Sequence, residues 1–141
     1  MAIEPNQPDV SPAAATILVV DDNHMVTKAL STLIRSAGFA AIVCHSGTDA
    51  MAYADSGATP GAAVVDVHLP DINGLVLSQQ LRKRFGPDTP IVVVSGDTSM
   101  ETIKSLSYVG ATYFFPKPVN ATLLIERLKQ LMDGRSPHEN V

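Results

Sequence analysis

The chain has 141 residues, 45% of them hydrophobic and 17% charged, with a formal net charge of −4 and a mean hydropathy of +0.16. That size suits one well-filled core rather than two, and an acidic balance without a Lys/Arg cluster argues against direct nucleic-acid binding. No apolar stretch approaches membrane-spanning length, residues 1–11 lack the regions of a signal peptide, and the single Cys44 allows no internal disulfide, so a cytoplasmic, non-membrane protein with a buried structural thiol is expected.

Residues 1–15 combine Pro, Ala and polar side chains without periodicity and read as a flexible N-terminal arm. The β-branched run 16–20 predicts a buried strand. Val26, Leu30, Leu33 and Ala37 then recur at helical spacing until Gly38 stops the helix. Residues 40–44 form a second apolar run, followed by an Ala-rich short helix from Ser46 to about Ala54. A third strand is expected over 62–66, then a helix over 73–85 with Leu77, Leu81 and Phe85 on one face, broken by Gly86-Pro87. Pro90 introduces a fourth strand over 91–94, and a Ser-rich helix over 99–108 ends at Gly110. A fifth strand over 112–115 leads to a last helix, marked by Leu124, Leu128 and Leu131 and closed by Gly134, with 133–141 as a C-terminal tail.

Five short apolar strands alternating with five helices predict an α/β fold, a parallel sheet covered on both faces. Ligands of such sheets bind beyond the carboxyl ends of the strands. That edge is where the polar residues collect: Asp21 and Asp22 after the first strand, Asp66 at the third, Ser95 after the fourth and Lys117 after the fifth. Gathered carboxylates repel one another and raise one another's pKa unless a cation or proton compensates them, so the pattern predicts a site.

In order along the chain, Ile17-Leu-Val-Val-Asp-Asp22, Asp66-Val-His-Leu-Pro70 with Asn73-Gly74, Val92-Val-Val-Ser-Gly96 and Gly110-Ala111 leading to Pro116-Lys-Pro118 resemble the response-regulator receiver domains of two-component signalling. Each motif is weak alone, and together they cover residues 16–132 as one receiver domain. The resemblance implies a flavodoxin-like, doubly wound five-stranded sheet in the order 2-1-3-4-5. It implies that Asp66 accepts a phosphoryl group from a phosphohistidine of a sensor histidine kinase or phosphotransfer protein. Asp21, Asp22, Asp66 and the backbone carbonyl of His68 would hold Mg²⁺, a hard cation suited to carboxylates. Lys117 would pair with Asp66 and then with the phosphoryl group, Ser95 would donate to a phosphoryl oxygen, and the Lys117-Pro118 bond would be cis. Ser95 and Phe114 would form the switch, with Phe where the commoner residue is Tyr. His68 and Asp97 would tune the lifetime of the acyl phosphate. By the same resemblance, catalysis would be limited to the domain's own phosphorylation and dephosphorylation. Output would run through a downstream protein or a homodimer built on the face of the fourth helix, fifth strand and fifth helix.

Each assignment has a plainer rival. Asp21 or Asp22 suits a helix N-cap, Asp66 and Ser95 suit turns, and Lys117 and His68 suit solvated loops. Phe114 suits a core position beside an exposed Tyr113. At the level of function, a flavodoxin-type carrier fits poorly, because Asp21-Asp22-Asn23 repels a cofactor phosphate. A haloacid-dehalogenase-type hydrolase fits poorly because His68 stands where it needs a second Asp. The serious alternative is a receiver-like interaction module that works without phosphorylation.

Overall fold

A computed structural model describes residues 16–133; the arm over 1–15, Gly134 and the rest of the tail lie outside the described residues. The strands are β1 (Thr16–Val20), β2 (Ala40–Cys44), β3 (Ala62–Asp66), β4 (Ile91–Ser95) and β5 (Tyr113–Pro116). The helices are α1 (His24–Ser36), α2 (Gly47–Asp55), α3 (Gly74–Phe85), α4 (Met100–Val109) and α5 (Ala121–Met132). All strand pairs are parallel, in the order β2-β1-β3-β4-β5, which is the expected flavodoxin-like topology. Against the sequence reading, β4 runs one residue further and β5 begins and ends one residue later. The Thr112 hydroxyl accepts from the Ile91 amide, which makes residue 112 the entry to β5 rather than part of it.

The alternation of strand side chains divides the core in two. Ile17, Val19, Val64, Val92, Val94 and Phe115 point to the face covered by α1 and α5, where Leu30, Ile34, Leu124 and Leu128 meet them. Leu18, Val20, Ala63, Val65 and Ile91 point to the opposite face, under α2 and α3. Burial on both sides explains why the strands read as continuous apolar runs. Every helix starts on a side-chain cap: Asn23, Ser46, Asn73, Ser99 and Asn120 each accept from amides of the first turn. Cys44 is buried as expected, and burial pushes its thiol up to about 11, which leaves it unreactive at neutral pH.

Arg82 joins three segments that approach one another at the amino-terminal edge of the sheet. Its guanidinium donates to the carbonyls of Gly86 (2.7 Å) and Thr89 (2.6 Å), and twice to Gly110 (3.1 and 2.7 Å). Gly110 ends α4 in the left-handed conformation at φ 78°, and the Arg82 side chain packs where a β-carbon there would project. Arg82→Ala strips the donor from three carbonyls at once. Unfolding in urea is expected to show a loss of about 2 kcal/mol, only partly restored in Arg82→Lys, whose ammonium lacks the planar fork.

Candidate functional site

Asp21, Asp66 and Lys117 each stand two residues beyond a core position on the α1/α5 face, namely Val19, Val64 and Phe115. Strand periodicity therefore delivers all three side chains to the same side of the sheet edge. The Asp66 carboxylate is 3% exposed; its Oδ2 lies 3.0 Å from Lys117 Nζ, and its Oδ1 accepts from the His68 amide at 3.2 Å. Lys117 is held there by its own amide, which donates to the Ser95 carbonyl at 2.9 Å, and the Lys117-Pro118 bond is cis. The lysine is thus an ion-pair partner, not a solvated loop residue.

The acidic pair is free of capping duty. Asn23, not Asp21 or Asp22, caps α1, accepting from Met25 and Val26, while Asp21 Oδ1 accepts from the Asn23 amide at 2.9 Å. Asp21 is buried and Asp22 exposed. One carboxylate oxygen from each of Asp21, Asp22 and Asp66 falls within 4.8 Å of the others. The set is acidic and oxygen-only, which is the donor chemistry that a hard cation such as Mg²⁺ takes. Burial, seconded by the Asp66 charge, raises the Asp21 carboxyl above its usual range, against the opposing effects of the Asn23 amide and Lys117. A carboxyl raised in the fold destabilises the folded state above that pKa, and protonation relieves the cost as pH falls through it. Asp21→Asn is therefore expected to raise the melting temperature at neutral pH without divalent cations. Any stabilisation of the parent by Mg²⁺ should be lost in the same variant, and thermal unfolding with and without the ion checks both.

Ser95 is fully buried and in step with Ile91, so it leaves the sheet on the other face, the face of Phe114, whose register partner is Val93. Its hydroxyl accepts from the Asp97 amide at 2.9 Å. Phe114 is half-buried, Phe115 fully, and Tyr113 is exposed, packed under the Arg127 guanidinium at 4.9 Å. His68 and Asp97 stand exposed on the open side. The Asp97 carboxylate braces the start of α4 behind its Ser99 cap, accepting from the Ser99 amide (2.9 Å) and the Thr102 hydroxyl (2.8 Å). These bonds, with a smaller pull from His68, hold it below the ordinary carboxylate range. An apolar cavity of about 210 Å³, lined by Val19, Val26, Leu30, Val94, Val119 and Leu124, adjoins the carboxylates between α1 and the first turn of α5.

Sequence reasoning passed over Thr27, His45, Asp71 and Arg82. Nothing in local pattern marks them, since each acts through partners 18 to 30 residues away. Gly74 stood in a motif without a reason. A β-carbon there would overlap the backbone oxygen of Asp66 and crowd the α-carbon of Val67, so only glycine lets α3 start against the end of β3.

Known proteins resemble this chain in sequence and fold. The family model described as response regulator receiver domain matches residues 17–129. The sensory/regulatory protein RpfC of Xanthomonas campestris pv. campestris is 34% identical over 118 residues, 82% of this chain and 16% of that protein. The chain spans about half or less of the length of such curated relatives. Among solved structures, a CheY-like receiver domain protein from Methanospirillum hungatei JF-1 superposes with a TM-score of 0.79 at 25% identity, over 84% of this chain and 93% of that one. A response regulator from Burkholderia pseudomallei, with a phosphorylated aspartic acid, a calcium ion and citrate, superposes at 0.74 with 27% identity over 84% of this chain and 68% of that one. Among the described residues no helix is long and apolar enough to cross a membrane. With the sheet order, the three clustered carboxylates and the match over residues 17–129 in agreement, the chain belongs to the family of response regulator receiver domains.

Proposed function

We propose that this receiver domain takes a phosphoryl group onto Asp66 from a phosphohistidine and changes its binding surface in response. The observation that carries the reading is Lys117 Nζ at 3.0 Å from Asp66 Oδ2, beside two further carboxylates whose oxygens lie within 4.8 Å. Phosphoryl transfer asks the protein for an in-line nucleophile and for positive charge on the equatorial oxygens. Asp66 offers the free face of its carboxylate to phosphorus. The P–N bond to the donor histidine breaks, the electron pair returns to the imidazole, and a mixed anhydride forms on Asp66. Asp21, Asp22, Asp66 and the His68 carbonyl would hold Mg²⁺, which when bound supplies charge neutralisation to the transferring group. Lys117 exchanges its carboxylate partner for a phosphoryl oxygen, and Ser95 turns its hydroxyl from the Asp97 amide toward another.

Ser95 and Phe114 share one face of the sheet, so movement of the hydroxyl frees space for the aromatic ring. Phe lacks a hydroxyl, and the switch works by packing alone. His68 and Asp97 stand at the rim and tune hydrolysis. Asp97 can do so only within the limits of its bonds to Ser99 and Thr102. The partners are a sensor histidine kinase or phosphotransfer protein and a downstream protein. Exposed Met100, Ile103, Tyr108, Tyr113 and Leu123 support docking, including homodimerisation, on the α4-β5-α5 face. The domain turns over no other substrate.

Incubation with Mg²⁺ and acetyl phosphate tests the reading by intact mass. A gain of one phosphoryl group in the parent and none in Asp66→Asn is expected. No Asp66-dependent gain in mass would favour the interaction module that works unphosphorylated.

A further inference from the structure

The loop between β2 and α2 supplies no residue to the proposed site, yet it touches both loops that do. On one side, the Asp21 amide donates to the Cys44 carbonyl at 3.0 Å, and the next residue, His45, stacks on His24 with ring centroids 3.7 Å apart and planes 11° from parallel. His45 Nε2 lies 3.1 Å from the Thr27 hydroxyl, which also stands 3.1 Å from the His24 carbonyl. These contacts fasten the loop to the start of α1, immediately after Asp21, Asp22 and Asn23.

On the other side, Asp71 reaches out of the β3–α3 loop to the first turn of α2. Its Oδ1 accepts from the Gly47 amide at 2.9 Å, and its Oδ2 accepts from the amide and hydroxyl of Thr48 at 2.9 and 2.7 Å. Ile72 packs against Gly47 at the spot a β-carbon would fill. The same short loop contains His68, whose carbonyl belongs to the proposed ion site, and it is closed by the His68–Asn73 bridge. The donors, the Thr48 hydroxyl first and then the two amides, lower the Asp71 carboxyl to about 2, so the clamp stays charged at any ordinary pH. As the pH falls from the unfolded value toward 2 the clamp is protonated and its contribution is lost.

We propose that His45 and Asp71 are positioning residues: the β2–α2 loop is a bracket that sets the distance between the loop of Asp21 and Asp22 and the loop of His68. The inference rests on the Mg²⁺ reading above. Side chains behind first ligands fix ligand geometry, and their loss weakens metal affinity by roughly 10- to 100-fold where they touch the ligand itself. Asp71 and His45 act one step further back, so about tenfold is expected for either.

The test is the Mg²⁺ dissociation constant by calorimetry, with the melting temperature of the ion-free protein measured beside it. Asp71→Asn and His45→Ala should each weaken Mg²⁺ about tenfold, and Thr48→Val, which removes one hydroxyl donor and leaves both carboxylate and fold in place, should weaken it to a smaller degree. His45→Gln, able to donate to Thr27, should restore affinity. Asp55→Ala, which breaks the exposed Arg84–Asp55 pair between α2 and α3, should leave affinity alone. Unchanged affinity in Asp71→Asn, His45→Ala and Thr48→Val, with melting temperature lowered or not, would overturn the bracket alone. Absence of Mg²⁺ binding by the parent would overturn the functional reading with it.

Discussion

Lys117→Ala is expected to slow phosphorylation of Asp66 by acetyl phosphate about 100-fold, the loss typical when one preorganised charge is removed from a developing anion. The argument is one of charge count. Asp21, Asp22 and Asp66 crowd their oxygens within 4.8 Å, and the Lys117 ammonium is the cation that reaches Asp66. A phosphoryl group adds negative charge to that cluster, and the amine is already within hydrogen-bonding distance of where it arrives. A loss of stability should accompany it, because the Asp66 carboxylate is only 3% exposed and would be left beside two others without its cation, although the 40% exposure of the Lys117 side chain lets solvent screen part of the cost. Lys117→Arg keeps the charge and changes its shape and reach, so a rate between those of parent and alanine variant is expected. The rate of mass gain under saturating Mg²⁺ decides the matter. A fall of less than about threefold would mean that charge neutralisation at this position contributes little.

Gly74→Ala is expected to cost about 3 kcal/mol in urea unfolding and to cut phosphorylation along with it, since overpacking of this kind typically costs 1–3 kcal/mol and here meets backbone. The new methyl group would overlap the carbonyl oxygen of Asp66 and press on Val67, so either α3 or the end of β3 must move. Both movements matter to the site. The Gly74 amide donates to the Val67 carbonyl at 2.7 Å, and its carbonyl accepts from the buried Ser78 hydroxyl at 2.8 Å, so α3 is pinned on each side of the clash. Gly96 provides the contrast within the same edge. A β-carbon there meets Lys117 Cβ at an unstrained 4.0 Å, and Gly96→Ala should unfold within about 0.5 kcal/mol of the parent.

The two variants also mark what was readable from the chain. The central strands β1, β3 and β4 are short and apolar up to the polar residue at or just beyond their carboxyl ends because both faces of the sheet are covered there, and that pattern survives in sequence without any tertiary information. Asp66 and Lys117 were legible as a site because strand periodicity brings residues just beyond parallel strands to one edge. The helix caps were less so. Asp21, Asp22 and Asn23 are all good caps by type, and only the bonds from Met25 and Val26 assign the role to Asn23. Arg82, His45 and Asp71 were invisible for a different reason. Each is a common surface residue in its own window, and its value comes from the carbonyl, hydroxyl or amide that the fold brings near from a distant segment. The start of β5 falls one residue later because the Thr112 side chain takes the Ile91 amide, and β4 and β5 both run on by one residue because Ser95 pairs with Pro116 and its carbonyl accepts from the Lys117 amide, none of which propensity registers.

The site of phosphorylation itself is the most direct measure of the account. Treating the acetyl-phosphate-reacted protein with borohydride reduces an aspartyl phosphate to homoserine, and peptide mapping then names the residue. Homoserine at position 66, in the presence of Mg²⁺ and not after its chelation, is the predicted result. Conversion at position 21 or 22, or none at all, would contradict the assignment of Asp66 as the nucleophile.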